Sequence, residues 1–138
     1  MNSHKAGLAI IFHSGSFDRI YHGLSIALAG LALGREVKLF FTYWALEYLK
    51  NDTPALFKFD AEAQKQREVL EKNIERGHLQ KFSELIRQSK AMGVKIYSCT
   101  SSMGLLNIAR DELIPEVDKA MGLTTFLVET GDFQILFI

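Results

Sequence analysis

The residue best suited to chemistry in this chain is its one cysteine, Cys99, within Val94-Lys95-Ile96-Tyr97-Ser98-Cys99-Thr100-Ser101-Ser102-Met103-Gly104. Val94, Ile96 and Tyr97 are β-branched or aromatic, and the run 94–97 follows a glycine and precedes a Ser/Thr cluster, which is the pattern of a short buried strand. Cys99 then falls at the carboxyl end of that strand, where open parallel α/β sheets keep their functional crevice. Thr100, Ser101 and Ser102 are residue types that cap helices, and a helix start presents free amide N–H groups and partial positive charge. Both favour the thiolate, the nucleophilic form of cysteine. The competing reading is an inert structural cysteine, because free cysteine is among the most buried residue types.

Two further sets of residues are placed to join that site. His13-Ser14-Gly15-Ser16 follows an apolar run and precedes a helical pattern. The amides and hydroxyls of Ser14, Gly15 and Ser16 are therefore positioned either to hold a sulfate-like or sulfonate-like group or to make an ordinary capped turn. In a doubly wound sheet this loop would adjoin Cys99. Thr42-Tyr43-Trp44 ends a second strand-like run, so Trp44 is expected at the same sheet edge, either walling a pocket or packing in a core or interface. The four histidines, His4, His13, His22 and His78, lack zinc-ligand spacing, so neither a metal nor a cofactor is expected. G-x-S-x-G, Walker A and G-x-G-x-x-G patterns are also missing, which removes the usual support for hydrolase, NTPase and dinucleotide readings.

The elements that must carry these residues can be read in order. Residues 8–12, Leu-Ala-Ile-Ile-Phe, suit a strand buried on both faces. Ser16 can cap a helix over 17–33, with Gly34 at the position after its end where φ is often positive. The second half of that helix, 23–33, is apolar almost all round with small residues at Gly23, Ala27 and Gly30, which suggests burial against another subunit or close packing on its own sheet. Residues 37–42 read as a strand and 43–49 as a helix with Thr42 as its cap. The stretch 51–77 is charged and looks like a helical insertion, exposed or acting as a lid. A helix over 78–92 follows, ended by Gly93. After Cys99, helices are expected over 103–109 and 111–120, then strands over 122–127 and 134–138. The whole is one α/β domain over 1–138, with five strands in a mainly parallel sheet.

Composition sets the remaining bounds. A length of 138 residues with 48% hydrophobic residues and two prolines excludes a disordered chain and suffices for a single core. One cysteine excludes a disulfide framework and makes a reducing, cytoplasmic setting the default. Sixteen basic residues balance sixteen acidic ones, so no nucleic acid or anionic membrane is expected as a partner. The most apolar stretch, 23–33, is far shorter than the roughly 20 residues that span a bilayer, and the start of the chain has no signal-peptide pattern.

Taken together, Phe40-Phe41-Thr42-Tyr43-Trp44-Ala45-Leu46, the strand ending in Cys99 with Ser101-Ser102-Met103 after it, the 122–128 stretch and Leu136-Phe137-Ile138 resemble the DsrE/DsrF-like family. The similarity is to a branch with F-x-T-x-W and C-T-x-S-M patterns, some of whose members are labelled peroxiredoxins. The resemblance implies a flavodoxin-like three-layer α/β/α fold and homo-oligomers. It also implies a cysteine, matched by Cys99, that carries sulfur as a persulfide or thiosulfonate, with TusA-type sulfur carriers or rhodaneses as partners. Residues 100–107 hold no second cysteine, which argues against an intramolecular disulfide step. Three functions therefore compete: sulfur transfer, thiol peroxidase, and an oligomeric binding module with an inert thiol. The peroxidase reading is weakened because Ile96 stands where a peroxiredoxin has threonine, three residues before the thiol. The site residues expected from all of this are Cys99 as nucleophile, with Ser14, Gly15, Ser16, Thr42, Tyr43, Trp44, Thr100, Ser101, Ser102 and Met103 around it.

Overall fold

The computed structural model describes residues 5–51, 58–59, 63–77 and 80–138. Five strands, β1 (Leu8–Phe12), β2 (Val37–Phe41), β3 (Lys95–Cys99), β4 (Lys119–Met121) and β5 (Gln134–Phe137), form a sheet of order β4-β3-β2-β1-β5 with every pairing parallel. The helices are α1 (Phe17–Ala32), α2 (Arg67–Glu75), α3 (Phe82–Ala91), α4 (Thr100–Leu105) and α5 (Leu123–Glu129). From β1 to β4 the chain steps in one direction, then returns past β1 to add β5. Right-handed crossovers place the helices of the forward steps on one face and the helix of the reversed step on the other. Packing agrees. Ile10, Phe12, Leu39, Phe41 and Ile96 share a core with Ile20 and Leu24 of α1 and Ile86 of α3, whereas Ala9, Ile11, Phe40, Tyr97, Cys99 and Met121 pack with Phe126 of α5.

The three layers are unequal. One face carries α1 and α3, of 16 and 10 residues, and the other carries α5, of 7 residues, in which Phe126 alone is buried. The apolar run of β1 is buried throughout because helices lie on both sides of it. In α1 the small residues face the chain's own sheet: a Cβ on Gly23 would stand 2.2 Å from the Phe12 ring, and one on Gly30 would stand 3.1 Å from Leu8. Gly34 takes φ +81°, the left-handed turn that lets α1 end and β2 begin.

The region after Cys99 departs from the sequence reading. The expected helix over 103–109 begins earlier, at Thr100. The expected helix over 111–120 is a short 3-10 turn, Arg110–Glu112, followed by a loop through Pro115 and then β4. Asp118 fixes this outcome, since its carboxylate accepts from the Ile96 N–H and the Lys90 ammonium, both at 2.7 Å, while its own N–H donates to the Ile96 carbonyl at 2.8 Å. That pins the chain alongside β3 as a strand. The expected strand over 122–127 is instead α5, because the reversed crossover must travel back across the sheet face and buries only Phe126 as it goes. Residues 43–49 form a 3-10 helix rather than an α-helix, and it opens on Tyr43 with φ +45°.

Part of the charged insertion, 52–57 and 60–62, lies outside the described residues, as do 78–79 at the start of the helix expected over 78–92. The described part is tied to the main core. Phe59 and Ile74 are buried in it, and the Phe17 N–H donates to the Lys58 carbonyl at 2.6 Å. Within α2 the pairs Arg67–Glu71 and Lys72–Glu68 lie four residues apart and are solvated, which is worth a few tenths of a kcal/mol each, about 0.3–0.5. Among the described residues no helix is long and apolar enough to cross a membrane.

Candidate functional site

Cys99 is both the last residue of β3 and the N-cap of α4. An N-cap side chain stands where serine or aspartate would accept the first free amides of the helix, so here the sulfur occupies that place. The neutral thiol makes no capping hydrogen bond. Burial pushes its pKa up, as it does for any thiol taken from water. The Ser102 N–H, the Thr42 hydroxyl, the Ser102 hydroxyl and the Ser101 N–H act against burial by stabilising the charged form, and together they hold the pKa below its ordinary value. Thr100, Ser101 and Ser102 are thus not caps themselves but the first turn of the helix whose amides serve the cysteine.

Thr42 arrives from the neighbouring strand. Phe41 is in register with Ser98, so the next residue on β2 comes level with Cys99. Its Oγ1 lies 2.7 Å from the Ser102 Oγ, and both residues are buried. A buried hydroxyl pair of this kind is rigid, because either member left alone would be an unsatisfied polar group. The sulfur is walled by Met121, its register partner on β4, and by Tyr97 and Phe126. With only 5% of Cys99 exposed, small or extended reactants suit it best. Met103, expected beside Cys99, packs into the core of the opposite sheet face. The Thr100 and Ser101 side chains point to solvent.

Ser14, Gly15 and Ser16 gather elsewhere. They follow β1, and the end of β2 stands between them and β3, about 10 Å for two strand spacings. Several of their polar groups are engaged within the chain. The Ser16 N–H donates to the Ser14 Oγ at 3.0 Å, the Ser16 hydroxyl bonds the Asp18 carboxylate, and the Tyr48 hydroxyl donates to the Gly15 carbonyl at 2.8 Å. The His13 and Ser14 N–H groups both donate to the Ile138 carbonyl, at 2.8 and 3.2 Å. Tyr43 and Trp44 lean toward this side. A Cβ on Gly15 would stand 3.0 Å from the Trp44 Cβ, Trp44 is 54% exposed, and the Tyr43 ring lies 4.8 Å from that of His13.

Of the expected constellation, then, Cys99, Thr42, Ser101 and Ser102 come together, and Ser14, Gly15, Ser16, Tyr43 and Trp44 form a neighbouring group. Sequence reasoning missed Met121, Tyr97 and Phe126 as walls. For Tyr97 the signal was present, since in an alternating strand it shares a face with Cys99. Phe126 lies in a segment expected as a strand, and Met121 falls between the helix expected over 111–120 and that strand.

A model of the DsrE/DsrF/DrsH-like family matches residues 4–66 and 56–138. The chain belongs to that family. One relative, the uncharacterized protein YrkE of Bacillus subtilis (strain 168), is 25% identical over a 154-residue alignment that covers 94% of each chain. Solved structures share the fold. MTH1491 of Methanobacterium thermoautotrophicum, described as of unknown function, superposes with TM-score 0.64 at 13% identity, covering 97% of this chain and 100% of that one. The ychN protein of E. coli gives 0.61 at 15%, covering 97% and 100%. BT1422 of Bacteroides thetaiotaomicron, also of unknown function, gives 0.61 at 14%, covering 96% and 95%. Family membership links this chain to sulfur relay, with Cys99 as its only thiol.

Proposed function

We propose that the protein is an intracellular, cytoplasmic sulfur carrier in which Cys99 takes sulfur from a donor and passes it to a protein thiol. The observation that carries this reading is the convergence of two amides and two hydroxyls on a thiol at a strand end, holding its pKa down in spite of burial. The Cys99 thiolate attacks the outer sulfur of a sulfane donor; with thiosulfate the S–S bond breaks, sulfite leaves with the bonding pair, and a Cys99 persulfide anion remains. An acceptor thiolate then attacks the terminal sulfur, becomes a persulfide, and Cys99 leaves as the thiolate. No net oxidation occurs in either step, so no cofactor is required. The same donors stabilise the leaving thiolate of the second step. Rhodaneses and small carriers of the TusA type, the partners that the family resemblance implies, are the candidates for donor and acceptor.

Intact-mass and peptide mass spectrometry after incubation with thiosulfate, polysulfide or tetrathionate tests the proposal. Persulfide or thiosulfonate is expected on Cys99, none on Cys99→Ser, and loss of the adduct on mixing with a carrier protein. An unmodified Cys99 under all three donors would sink it. The Thr42 hydroxyl would serve a thiol peroxidase equally well, so hydrogen peroxide consumption is the counter-measurement. Rapid turnover of peroxide with no sulfur adduct would move the assignment there.

A further inference from the structure

The mouth of the Cys99 site is built from segments without charge. In a chain of which 23% of residues are charged, the three stretches that converge there, 42–46, 96–109 and 120–128, contain no Asp, Glu, Lys, Arg or His. The first supplies Thr42, the second the end of β3 with α4, and the third Met121 and most of α5. α4 and α5 open side by side, since a Cβ on Gly122 would lie 3.8 Å from the Thr100 Oγ1. Leu105 and Leu123 on these two helices are 68% and 47% exposed. The charges that flank the three stretches are engaged or distant. Glu47 pairs with Lys58, Asp118 pairs with Lys90, and the Arg110 guanidinium donates to the Val117 carbonyl at 3.1 Å. Lys95 begins β3 and Lys119 begins β4, which sets them along their strands about 13 Å from Cys99 and about 7 Å from Met121. Glu129 closes α5 and acts on Tyr97. Among the described residues no charged group contributes to the lowered pKa of Cys99, which rests on hydrogen bonds alone. The thiolate is thus an anion without a counter-cation, and the Ser101 and Ser102 amides are already taken by it.

We propose that this mouth selects the sulfur donor by charge, so that Cys99 is loaded by uncharged sulfane sulfur, a neutral hydropersulfide R–S–SH with a small uncharged R group, in preference to anionic donors such as thiosulfate. The inference rests on the sulfur-carrier reading and narrows its donor. An anionic donor must bring its charge beside the thiolate in a largely buried place, where like charges repel more strongly than in water and salt screens them less. It finds no cation there. A neutral donor meets Met121, Tyr97 and Phe126, whose surfaces favour an apolar R group. In the step itself the Cys99 thiolate attacks the outer sulfur of R–S–SH, the S–S bond breaks, RS⁻ leaves with the bonding pair, and Cys99 keeps the S–SH group. Atoms and charge balance without a co-reactant. The selection is one of rate, since thiosulfate leaves the same persulfide on Cys99 by a slower approach.

Reagents matched in length test the selection. Wild-type protein is labelled with hydroxyethyl and with sulfonatoethyl methanethiosulfonate, which differ in charge, and each rate is divided by that of the same reagent with mercaptoethanol. After this correction the sulfonate is expected to react at least about tenfold more slowly than the hydroxyethyl reagent. Sulfur loading from hydroxyethyl and sulfonatoethyl hydropersulfide, followed by mass spectrometry, should show the same order. Leu105→Lys and Leu123→Lys each add a cation at an exposed position of the mouth, and either should raise the sulfonate rate while leaving the hydroxyethyl rate within about twofold. Equal corrected rates for the two charges, or a faster sulfonate, overturn the proposal and leave sulfur carriage standing. A sulfonate rate unmoved by both lysine variants overturns it as well. If both methanethiosulfonates label Cys99 and neither hydropersulfide leaves sulfur on it, the carrier reading falls and the donor class falls with it.

Discussion

The turns after β1 and after β3 use the same chemical vocabulary, a Ser-rich stretch leading into a helix, and reach opposite ends. After β1 the N–H groups of His13, Ser14 and Ser16 and the hydroxyls of Ser16 and Tyr48 find acceptors inside the chain: the Ser14 Oγ, the Ile138 and Gly15 carbonyls and the Asp18 carboxylate. That turn also lies at the point where the strand order reverses, between β1 and β5, the customary crevice of a doubly wound sheet. Ile138 fills it. After β3 the helix starts on a cysteine, and the amides and hydroxyls around it find their best acceptor only once the sulfur is charged. A reactive site arises where donors are left for a group that must ionise, whatever the canonical crevice of the fold.

Removing donors from the β3 turn should have the largest effect. Ser102→Ala takes one hydroxyl from the sulfur and removes the buried partner that fixes the Thr42 hydroxyl. A hydrogen bond to a charged group is worth about 1.5–3 kcal/mol, so iodoacetamide labelling of Cys99 at pH 7 should slow by at least about tenfold, with the pH midpoint displaced upward. Thr42→Val should act in the same direction, and Ser14→Ala should leave the rate untouched. Equal slowing by Ser14→Ala would dissolve the contrast between the turns.

A smaller effect appears in stability against pH. For Cys99 the folded pKa is depressed, so its contribution is fully present above the unfolded value of about 8.5 and is lost as pH falls through the folded pKa. Urea melts should show wild-type stability rising toward that pH relative to Cys99→Ser. Tyr48 has the reverse sign. Burial, then the charges of Glu47 and Asp18, push its phenol well above the usual range. Its contribution is full below about pH 10, and stability falls as pH rises beyond that value. Tyr48→Phe should lower stability by about 1 kcal/mol at pH 7 through the lost bond to Gly15 and should lessen the alkaline decline, leaving the part that belongs to Tyr97, whose phenol burial also pushes up. A decline of unchanged size in that variant would take Tyr48 out of it.

The strands β1 to β3 and the helix α1 were legible because each is a long run with one clear period, and Cys99 was legible because it has no rival. Other parts were not. β4 is three residues long, too short for any alternation to show, and its place is decided by Asp118 reaching Ile96 and Lys90 across 22 and 28 positions of sequence. α5 is rich in β-branched and aromatic residues that favour strands, yet the path of the reversed crossover overrides that preference. Thr42 was read as the cap of a helix. Its hydroxyl serves Ser102 and Cys99 instead, a role visible only once the β2–β3 register sets residue 42 beside residue 99.

The smallest expected effect concerns Trp44, which follows Thr42 by two residues and could report on either turn. The sequence places it at the edge that holds Cys99, so loading sulfur there would change its fluorescence if the ring shared that crevice. The structure stands its Cβ against Gly15 and leaves more than half of the residue in solvent, with the Tyr43 ring edge-on at 5.7 Å. Emission should therefore change little when mass spectrometry shows Cys99 fully charged. Gly15→Ala should change it, since the added methyl would stand 3.0 Å from the Trp44 Cβ, a contact close enough to displace the side chain. The two measurements assign the tryptophan to one turn. A clear shift on sulfur loading, absent in Cys99→Ser, would mean that the β2 turn moves when the thiol is charged, and that the two turns are coupled through Thr42.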